Sequence, residues 1–237
     1  MIPRFLDPSA APAGRPLVKI CGVRRPEDVR AAVAAGADAI GFNLWPGSKR
    51  YVTPADAAAL VRLLPAHVAA VAVTVNASRA DLVEAVRVAG VGAVQLHGDE
   101  PLELARGLGV PVLKALRVAT EADLAAGPGW LAAGAVALLL DAPSAGFGGA
   151  GVAFDWSIAR AAAARGLRFA LAGGLEPGNV ADAVRAVRPW AVDVASGVES
   201  APGVKDPARL AAFCTAARTA LDVTQQQQQQ QQERLPR

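Results

Sequence analysis

The stretch LVKICGVRRPEDVRAAVAAGADAIGFNL (17–44) shows the pattern from which the fold is predicted. An apolar run, LVKICGV, is followed by a segment of helical periodicity that begins near Pro26, and then by a second apolar run, ADAIGFNL. Pro is favoured in the first turn of a helix. Near-continuous apolar runs predict strands that are buried on both faces, which is typical of a parallel sheet. The stretch is therefore predicted to be a strand–helix–strand unit.

The same alternation continues along the chain. The strand candidates are LVKICGV (17–23), ADAIGFNL (37–44), AAVAVTV (69–75), AVQLHG (93–98), PVLKALRV (111–118), VALLLDA (136–142), RFALAGG (168–174) and AVDVASG (191–197). Helix candidates begin near Pro26, Pro54, Ser78, Pro101, Thr120, Phe154, Pro177 and Pro207. A doubly wound open sheet usually has fewer strands and a glycine-rich GxGxxG turn after its first strand, where this chain has CGVRRPED. Eight strand–helix units predict the α/β class and a single (β/α)8 barrel.

The two ends of the chain differ from the segment between them. Residues 1–16 contain four prolines and many small residues, and we interpret them as a flexible leader. Residues 17–222 hold the eight units and form the predicted catalytic barrel. Residues 223–237 include the run QQQQQQQQ (225–232), which has no apolar side chain to bury and is interpreted as a disordered tail or a frayed helical extension.

Composition excludes several classes of protein. A chain that is 53% hydrophobic and 19% charged is not intrinsically disordered. Its net charge of +3 and its lack of long basic runs do not favour nucleic-acid binding. No apolar stretch approaches the ~20 residues of a membrane span. Two widely spaced cysteines indicate neither a disulfide framework nor a metal site. We therefore expect a cytoplasmic protein without a metal, whose monomeric or dimeric state the sequence leaves open.

Polar residues are unusually frequent at or near the ends of the strand candidates. A barrel enzyme holds its active site at the carboxyl ends of its strands, so these side chains are candidates for catalysis and binding. They are Lys19, Cys21, Arg50, Gln95, His97, Lys114, Asp141 and Asp193. Each also has a structural explanation: a lone Cys is often a small core residue, Asp often caps a turn, and a buried Lys can pair with a carboxylate. Because Lys19 shares a strand face with Cys21, its ammonium is expected to favour the thiolate.

Small residues follow the last two strand candidates. Gly173 and Gly174 end the seventh, and Ser196 and Gly197 end the eighth. Backbone N–H groups that are free at such turns form anion sites, and phosphate is often bound after strands 7 and 8 of a barrel. The alternative is a pair of ordinary tight turns. We predict a phosphate site that involves these four residues.

Several segments, in the same order, resemble the phosphoribosylanthranilate isomerase family. They are KICGV (19–23), GADAIGFNLWPGSKRYV (36–52), VQLHGDE (94–100), LLLDAPSAGFGGAGVAFDW (138–156), LAGGLEPGNV (171–180) and DVASGVES (193–200). The resemblance covers residues 17–220 and implies an Amadori rearrangement of phosphoribosylanthranilate in tryptophan biosynthesis. It implies that Cys21 is the general base, Asp141 the general acid, and Arg50 the group that binds the anthranilate carboxylate. The substrate's own Schiff base serves as electron sink, so the resemblance implies no cofactor.

The chain departs from the family pattern in a few places. The family commonly has GGTGKTFDW where this chain has GGAGVAFDW (148–156), commonly has Ser where this chain has Ala195, and is often apolar or Pro at the positions of Asn43 and Lys49. Two alternatives to the isomerase remain open at this point. One is an aldolase that uses Lys19 or Lys114 as a Schiff-base nucleophile, and the other is a phosphosugar-binding barrel without catalysis. Supporting roles are expected for Lys19, Gln95, His97 and Asp193.

Overall fold

The computed structural model describes residues 3–7, 15–142 and 154–233, with side chains up to residue 221. Its main strands are β1 Leu17–Cys21, β2 Ala39–Asn43, β3 Ala69–Thr74, β4 Ala93–Leu96, β5 Val112–Arg117, β6 Ala137–Asp141, β7 Phe169–Leu171 and β8 Ala191–Val194. Each strand pairs in parallel with the next, and β8 pairs with β1, so the sheet closes. The predicted (β/α)8 barrel is confirmed. A short antiparallel hairpin, β9 Glu199–Ala201 and β10 Val204–Lys205, follows β8.

Helices surround the barrel. They are α1 Pro26–Ala34, α2 Pro54–Val61, α3 Arg79–Ala89, α4 Gly127–Ala133, α5 Trp156–Ala164, α6 Val180–Val187 and α7 Pro207–Glu233. Local sequence explains several of their starts. Pro occupies the first turn of α1 and α2, and the side chains of Thr53 and Ser78 accept hydrogen bonds from the free N–H groups at the starts of α2 and α3.

Two helix predictions differ from the structure. The segment after Pro101 forms only a four-residue 3-10 turn, Leu102–Ala105, because Gly107 and Gly109 soon follow with φ of +78° and +75°. Such left-handed backbone conformations end a helix. The segment after Thr120 begins as a 3-10 helix, Glu121–Ala126, and continues as α4.

The alternation of side chains along the strands sorts them between two cores. Leu17, Ala93, Leu139 and Ala191 belong to the cluster inside the barrel, whereas Ile20 belongs to the larger cluster between the strands and the helices. Since side chains two residues apart share a face, polar residues in step with the first group point into the barrel. These are Lys19, Cys21, Gln95, His97, Asp141 and Asp193. Strand parity therefore brings six predicted site residues to one interior.

The closed end of the barrel, opposite the strand carboxyl ends, is filled by the start of the chain. Arg4–Leu6 form a 3-10 turn in which Phe5 and Leu6 are buried. The ring of Phe5 lies 4.8 Å from the ring of Trp190. The guanidinium of Arg168 stacks on the ring of Trp190. The interpretation of residues 1–16 as a flexible leader did not foresee this burial.

At the other end of the chain, α7 extends to Glu233 and includes the backbone of the Gln run. The division at residues 16 and 222 stays a prediction.

Candidate active site

A pocket opens at the carboxyl ends of the barrel strands. The side chains and turns that line it come from β1, β2, β3, β4, β6, β7 and β8 or the loops after them. Its lining includes Cys21, Asn43, Arg50, Gln95, His97, Asp141, Gly173, Gly174, Asp193, Ala195 and Ser196. Most of the site residues predicted from the sequence thus lie in one pocket, although they span the chain from residue 21 to residue 196.

Cys21 ends β1 and is partly exposed to the pocket. Directly beneath it lies an ion pair, in which Lys19 Nζ is 2.7 Å from Asp193 Oδ1. Burial raises the pKa of the Cys21 thiol, and the nearby Asp193 raises it further, whereas Lys19 lowers it; the balance is a pKa above the ordinary value. Lys19 therefore acts in the direction expected from the sequence, but burial outweighs it. Burial therefore favours the neutral thiol over the thiolate.

Asp141 ends β6 and is buried at the pocket wall. Its Oδ1 accepts a hydrogen bond from the backbone N–H of Ala142 at 2.9 Å, so Oδ2 is the oxygen left for other partners. His97 Nε2 lies 3.5 Å from Oδ2. The amide of Gln95 donates to His97 Nδ1 at 3.0 Å, which leaves the proton of a neutral imidazole on Nε2, facing the carboxyl group. The geometry places one carboxyl oxygen of Asp141 beside an N–H donor.

Arg50 lies in the loop after β2 and reaches back over Gly22, the residue that follows Cys21. A Cβ on Gly22 would lie 2.3 Å from Cδ of Arg50, so only glycine leaves room for this side chain. Nε and Nη2 of Arg50 each donate to Glu199 at 2.7 Å. This hydrogen-bonded carboxylate raises the pKa of Arg50, which is a permanent cation. Glu199 lies within DVASGVES (193–200), and no sequence pattern indicates a role for it.

The turns after β7 and β8 form the floor beside these groups. Gly173 and Gly174 have φ of +82° and +67°, and a Cβ on Gly173 would lie 2.8 Å from the backbone N of Ala142. Ser196 begins a 3-10 turn, Ser196–Val198. Gly197 does not line the pocket; it packs behind it, where a Cβ would lie 2.0 Å from the carbonyl oxygen of Leu175. The predicted phosphate site therefore has three residues in the pocket and one behind it.

Lys114 is not part of the pocket. It alternates with the interior residues Leu113 and Ala115, so it points outward from the barrel. There its Nζ lies 2.6 Å from Glu100 Oε2 and 5.2 Å from the ring centre of Trp130. The structural explanation, a buried lysine paired with a carboxylate, is correct for this residue. Lys19, the other nucleophile of the aldolase alternative, is fully buried and already paired with Asp193.

The departures at Ala150, Val152 and Ala153 lie outside the described residues. Within the described part of the chain, no group of three or more His, Cys, Asp or Glu side chains has the arrangement of a metal site. No helix in that part is both long enough and apolar enough to cross a membrane.

The fold and the pocket define a class. A closed (β/α)8 barrel with a thiol, a carboxyl group, an arginine and glycine turns at its open end has the layout of a barrel enzyme, with groups suited to acid–base chemistry and to binding an anion.

Comparisons with known proteins identify the family. The family model described as N-(5'phosphoribosyl)anthranilate (PRA) isomerase matches residues 18–216. An N-(5'-phosphoribosyl)anthranilate isomerase of Myxococcus xanthus is 51% identical over 203 residues, which are 85% of this chain and 96% of the relative. The chain belongs to this family.

Solved structures agree with this assignment. The phosphoribosyl anthranilate isomerase of Thermotoga maritima has a TM-score of 0.79 and 40% identity, and the match covers 85% of this chain and 98% of that one. Another structure of such an isomerase, with a TM-score of 0.76, 39% identity and the same coverage, is a complex with reduced 1-(o-carboxyphenylamino)-1-deoxyribulose 5-phosphate.

Proposed function

We propose that this chain converts N-(5-phosphoribosyl)anthranilate into 1-(2-carboxyphenylamino)-1-deoxyribulose 5-phosphate, the Amadori rearrangement of tryptophan biosynthesis. The observation that supports this most strongly is that Cys21, Arg50 and Asp141 line a single pocket in a chain that belongs to the isomerase family. A phosphosugar is therefore the proposed partner. A cytoplasmic location and independence of any cofactor are part of the same proposal.

In the first step, Asp141 acts as general acid. Its proton passes to the ring oxygen of the ribose while the bond between C1′ and that oxygen breaks, and the nitrogen lone pair forms a C=N bond. The oxygen Oδ2 suits this role, because Oδ1 accepts from the backbone of Ala142. We propose that the N–H of His97, 3.5 Å from Oδ2, holds the carboxylate in place after the proton has left.

In the second step, Cys21 acts as general base. Its thiolate removes the proton from C2′, the electron pair forms a C1′=C2′ bond, and the C=N electrons return to nitrogen. The resulting enol becomes the ketone by losing its hydroxyl proton to solvent and gaining one at C1′ from the Cys21 thiol, and Asp141 regains a proton from solvent, so both groups return to their starting states. Because burial raises the pKa of Cys21, the thiolate is scarce at neutral pH but is a stronger base when it forms.

The remaining groups bind and orient the substrate. Arg50 has the planar donor pairs that match a carboxylate, which suits the anthranilate group. Backbone N–H groups at Gly173, Gly174 and Ser196 suit the phosphate, and Gly197 supports them from behind. Lys19 and Asp193 lie beneath Cys21 in the barrel interior and support it through their 2.7 Å ion pair.

The test is the loss of substrate fluorescence with the purified full-length chain. We expect turnover by the wild type, and a fall of about 10²–10⁴-fold or more in Cys21→Ala and in Asp141→Asn, since each loses one proton-transfer group. Cys214→Ala is the matched control, because Cys214 is buried in α7 and does not line the pocket.

Three results would count against the proposal. A wild-type chain that binds the substrate without turnover would favour the non-catalytic barrel. Near-normal turnover in either site variant would refute the assigned roles. Trapping of a sugar phosphate on Lys19 by borohydride would revive the aldolase.

A further inference from the structure

Behind Arg50 lies a buried ion network that the proposed mechanism does not use. Glu199 begins β9, and its two carboxylate oxygens accept from Nε and Nη2 of Arg50 at 2.7 Å each. Lys205, at the end of β10, donates to Oε1 of the same carboxylate at 2.9 Å and to the carbonyl of Ala195 at 2.9 Å. The side chain of Lys205 is 0% exposed and that of Glu199 is 5% exposed. The hairpin therefore places a carboxylate and an ammonium in line behind the arginine.

The network occupies a particular edge of the guanidinium. Arginine has two edges that can meet a carboxylate with two parallel hydrogen bonds, one formed by Nε and one terminal nitrogen, and one formed by both terminal nitrogens. Glu199 takes the first edge of Arg50. On the second edge, Nη1 and the N–H of Nη2 that does not face Glu199 make no hydrogen bond to the residues that the structure describes, and Arg50 lines the pocket. A substrate carboxylate therefore has one edge left to bind, and its direction is fixed by Glu199.

Charge gives Lys205 a separate role. Arg50 and Glu199 alone form a neutral pair, which attracts an anion weakly. With Lys205 added, the network of one carboxylate and two cations has a net charge of +1. Burial opposes a low pKa for Glu199, but Arg50 and Lys205 together lower it, so the carboxylate stays ionised. Lys205 does not line the pocket, and its contact with the Arg50 side of the network runs through Glu199.

We propose that Glu199 and Lys205 are positioning residues that make the pocket selective for a carboxylated substrate: Glu199 aims the outer edge of Arg50, and Lys205 cancels the charge of Glu199 so that Arg50 keeps its attraction for the carboxylate. This inference rests on the proposed function, because it takes the carboxylate to be that of the anthranilate group.

The test compares two ligands that differ only in that carboxyl group. They are reduced 1-(o-carboxyphenylamino)-1-deoxyribulose 5-phosphate and the same molecule with a plain phenylamino group. In the wild type, the carboxylated ligand binds more tightly. In Lys205→Met we expect this preference to fall by about tenfold, because the network around Arg50 becomes neutral and attracts the carboxylate less. The ligand without the carboxyl group is expected to bind as in the wild type, and substrate KM is expected to rise more than kcat falls.

A double variant separates charge from structure. Glu199→Gln combined with Lys205→Met again leaves a net charge of +1 around Arg50, while the Gln side-chain oxygen still accepts one hydrogen bond. We expect this variant to recover part of the preference that Lys205→Met alone has lost. A preference that is unchanged in Lys205→Met, or that falls further in the double variant, would overturn the proposal.

The folding cost needs its own control. Lys114→Met removes a second buried Lys–Glu pair among the described residues, and this pair lies outside the pocket. Its loss of thermal stability gives the cost expected from breaking such a pair, and Lys205→Met should lose a similar amount.

If Lys205→Met fails to fold, the wild type still decides the question by NMR of the arginine Nε–H groups, with Arg50→Lys for assignment. We expect the Arg50 Nε–H signal to stay protected from exchange when the carboxylated ligand binds. Its loss on binding would show that Arg50 leaves Glu199, and would refute the proposal. Both ligands can be studied even if the wild type shows no turnover, so failure of the proposed function is distinguishable from failure of this inference.

Discussion

Gly41, in the middle of the interior face of β2, determines where the thiol of Cys21 lies. The two residues pair across adjacent strands. A Cβ added at Gly41 would lie 2.9 Å from Cys21 Sγ, 3.2 Å from Lys19 Nζ and 3.3 Å from the Cα of Cys21. Non-bonded carbon atoms prefer separations of about 3.5–4.0 Å, so the sulfur would have to retreat by roughly 0.6 Å or more. Gly41→Ala therefore displaces the proposed base.

The expected loss follows from that displacement. A misplacement of about 1 Å in a catalytic group costs about 10²-fold in rate, so we expect kcat of Gly41→Ala to fall about 100-fold. Overpacking of a buried site costs about 1–3 kcal/mol, which we expect to find in the free energy of unfolding. Progress curves of substrate fluorescence and urea unfolding measure the two effects.

A matched control makes the same chemical change where there is space. Gly129 lies exposed in α4 with nothing within 4 Å of an added Cβ. Gly129→Ala should leave kcat unchanged and stabilise the chain by about 0.5–1 kcal/mol, as alanine does in helices. A Gly41→Ala enzyme that is folded and has wild-type kcat would refute the view that this glycine sets the position of the thiol.

Two further predictions follow from the thiol and from the closed end of the barrel. Because the pKa of Cys21 lies above that of a free thiol and the base acts as thiolate, the residual kcat/KM of Asp141→Asn, which has no acid to lose its proton, should rise with pH from neutral into the alkaline range; a residual activity that is already flat at pH 7 would contradict the role of Cys21. Phe5→Ala empties the buried site beside Trp190 and should lower the free energy of unfolding by about 3–5 kcal/mol with little change in kcat, as chemical denaturation and steady-state kinetics will measure. An unchanged stability would show that the 3-10 turn at the start of the chain adds nothing to the barrel.

The sequence predicted the barrel because its signal is local and repeated. Each of the eight apolar runs overlaps one of the eight barrel strands, and most predicted helix starts lie within a few residues of a helix. The exceptions have local causes that a pattern of apolar residues does not reveal, such as the left-handed glycines at Gly107 and Gly109. The burial of Phe5 could not be predicted either, since a single aromatic residue in a proline-rich segment carries no periodic pattern.

In the site, as in the fold, the features with a regular sequence pattern were the ones that could be predicted. Spacing by two residues placed Lys19 with Cys21, and Gln95 with His97, on shared strand faces, and the structure confirms both placements inside the barrel. Parity alone also excludes Lys114 from the barrel interior, because its neighbours Leu113 and Ala115 are the residues of β5 that point inward. The roles of these residues stay predictions until the variants are measured.

Strand order and side-chain parity, both visible in the sequence, predict the class of fold and most of the strand residues that line the open end of the barrel. The contacts between distant residues depend on the tertiary structure: the carboxylate of Glu199 lies on Arg50, 149 positions away, and the ammonium of Lys205 lies behind it. It also decided that burial outweighs the effect of Lys19 on the thiol of Cys21. Distances and desolvation depend on all the elements that enclose a group, and no local pattern in a sequence encodes them.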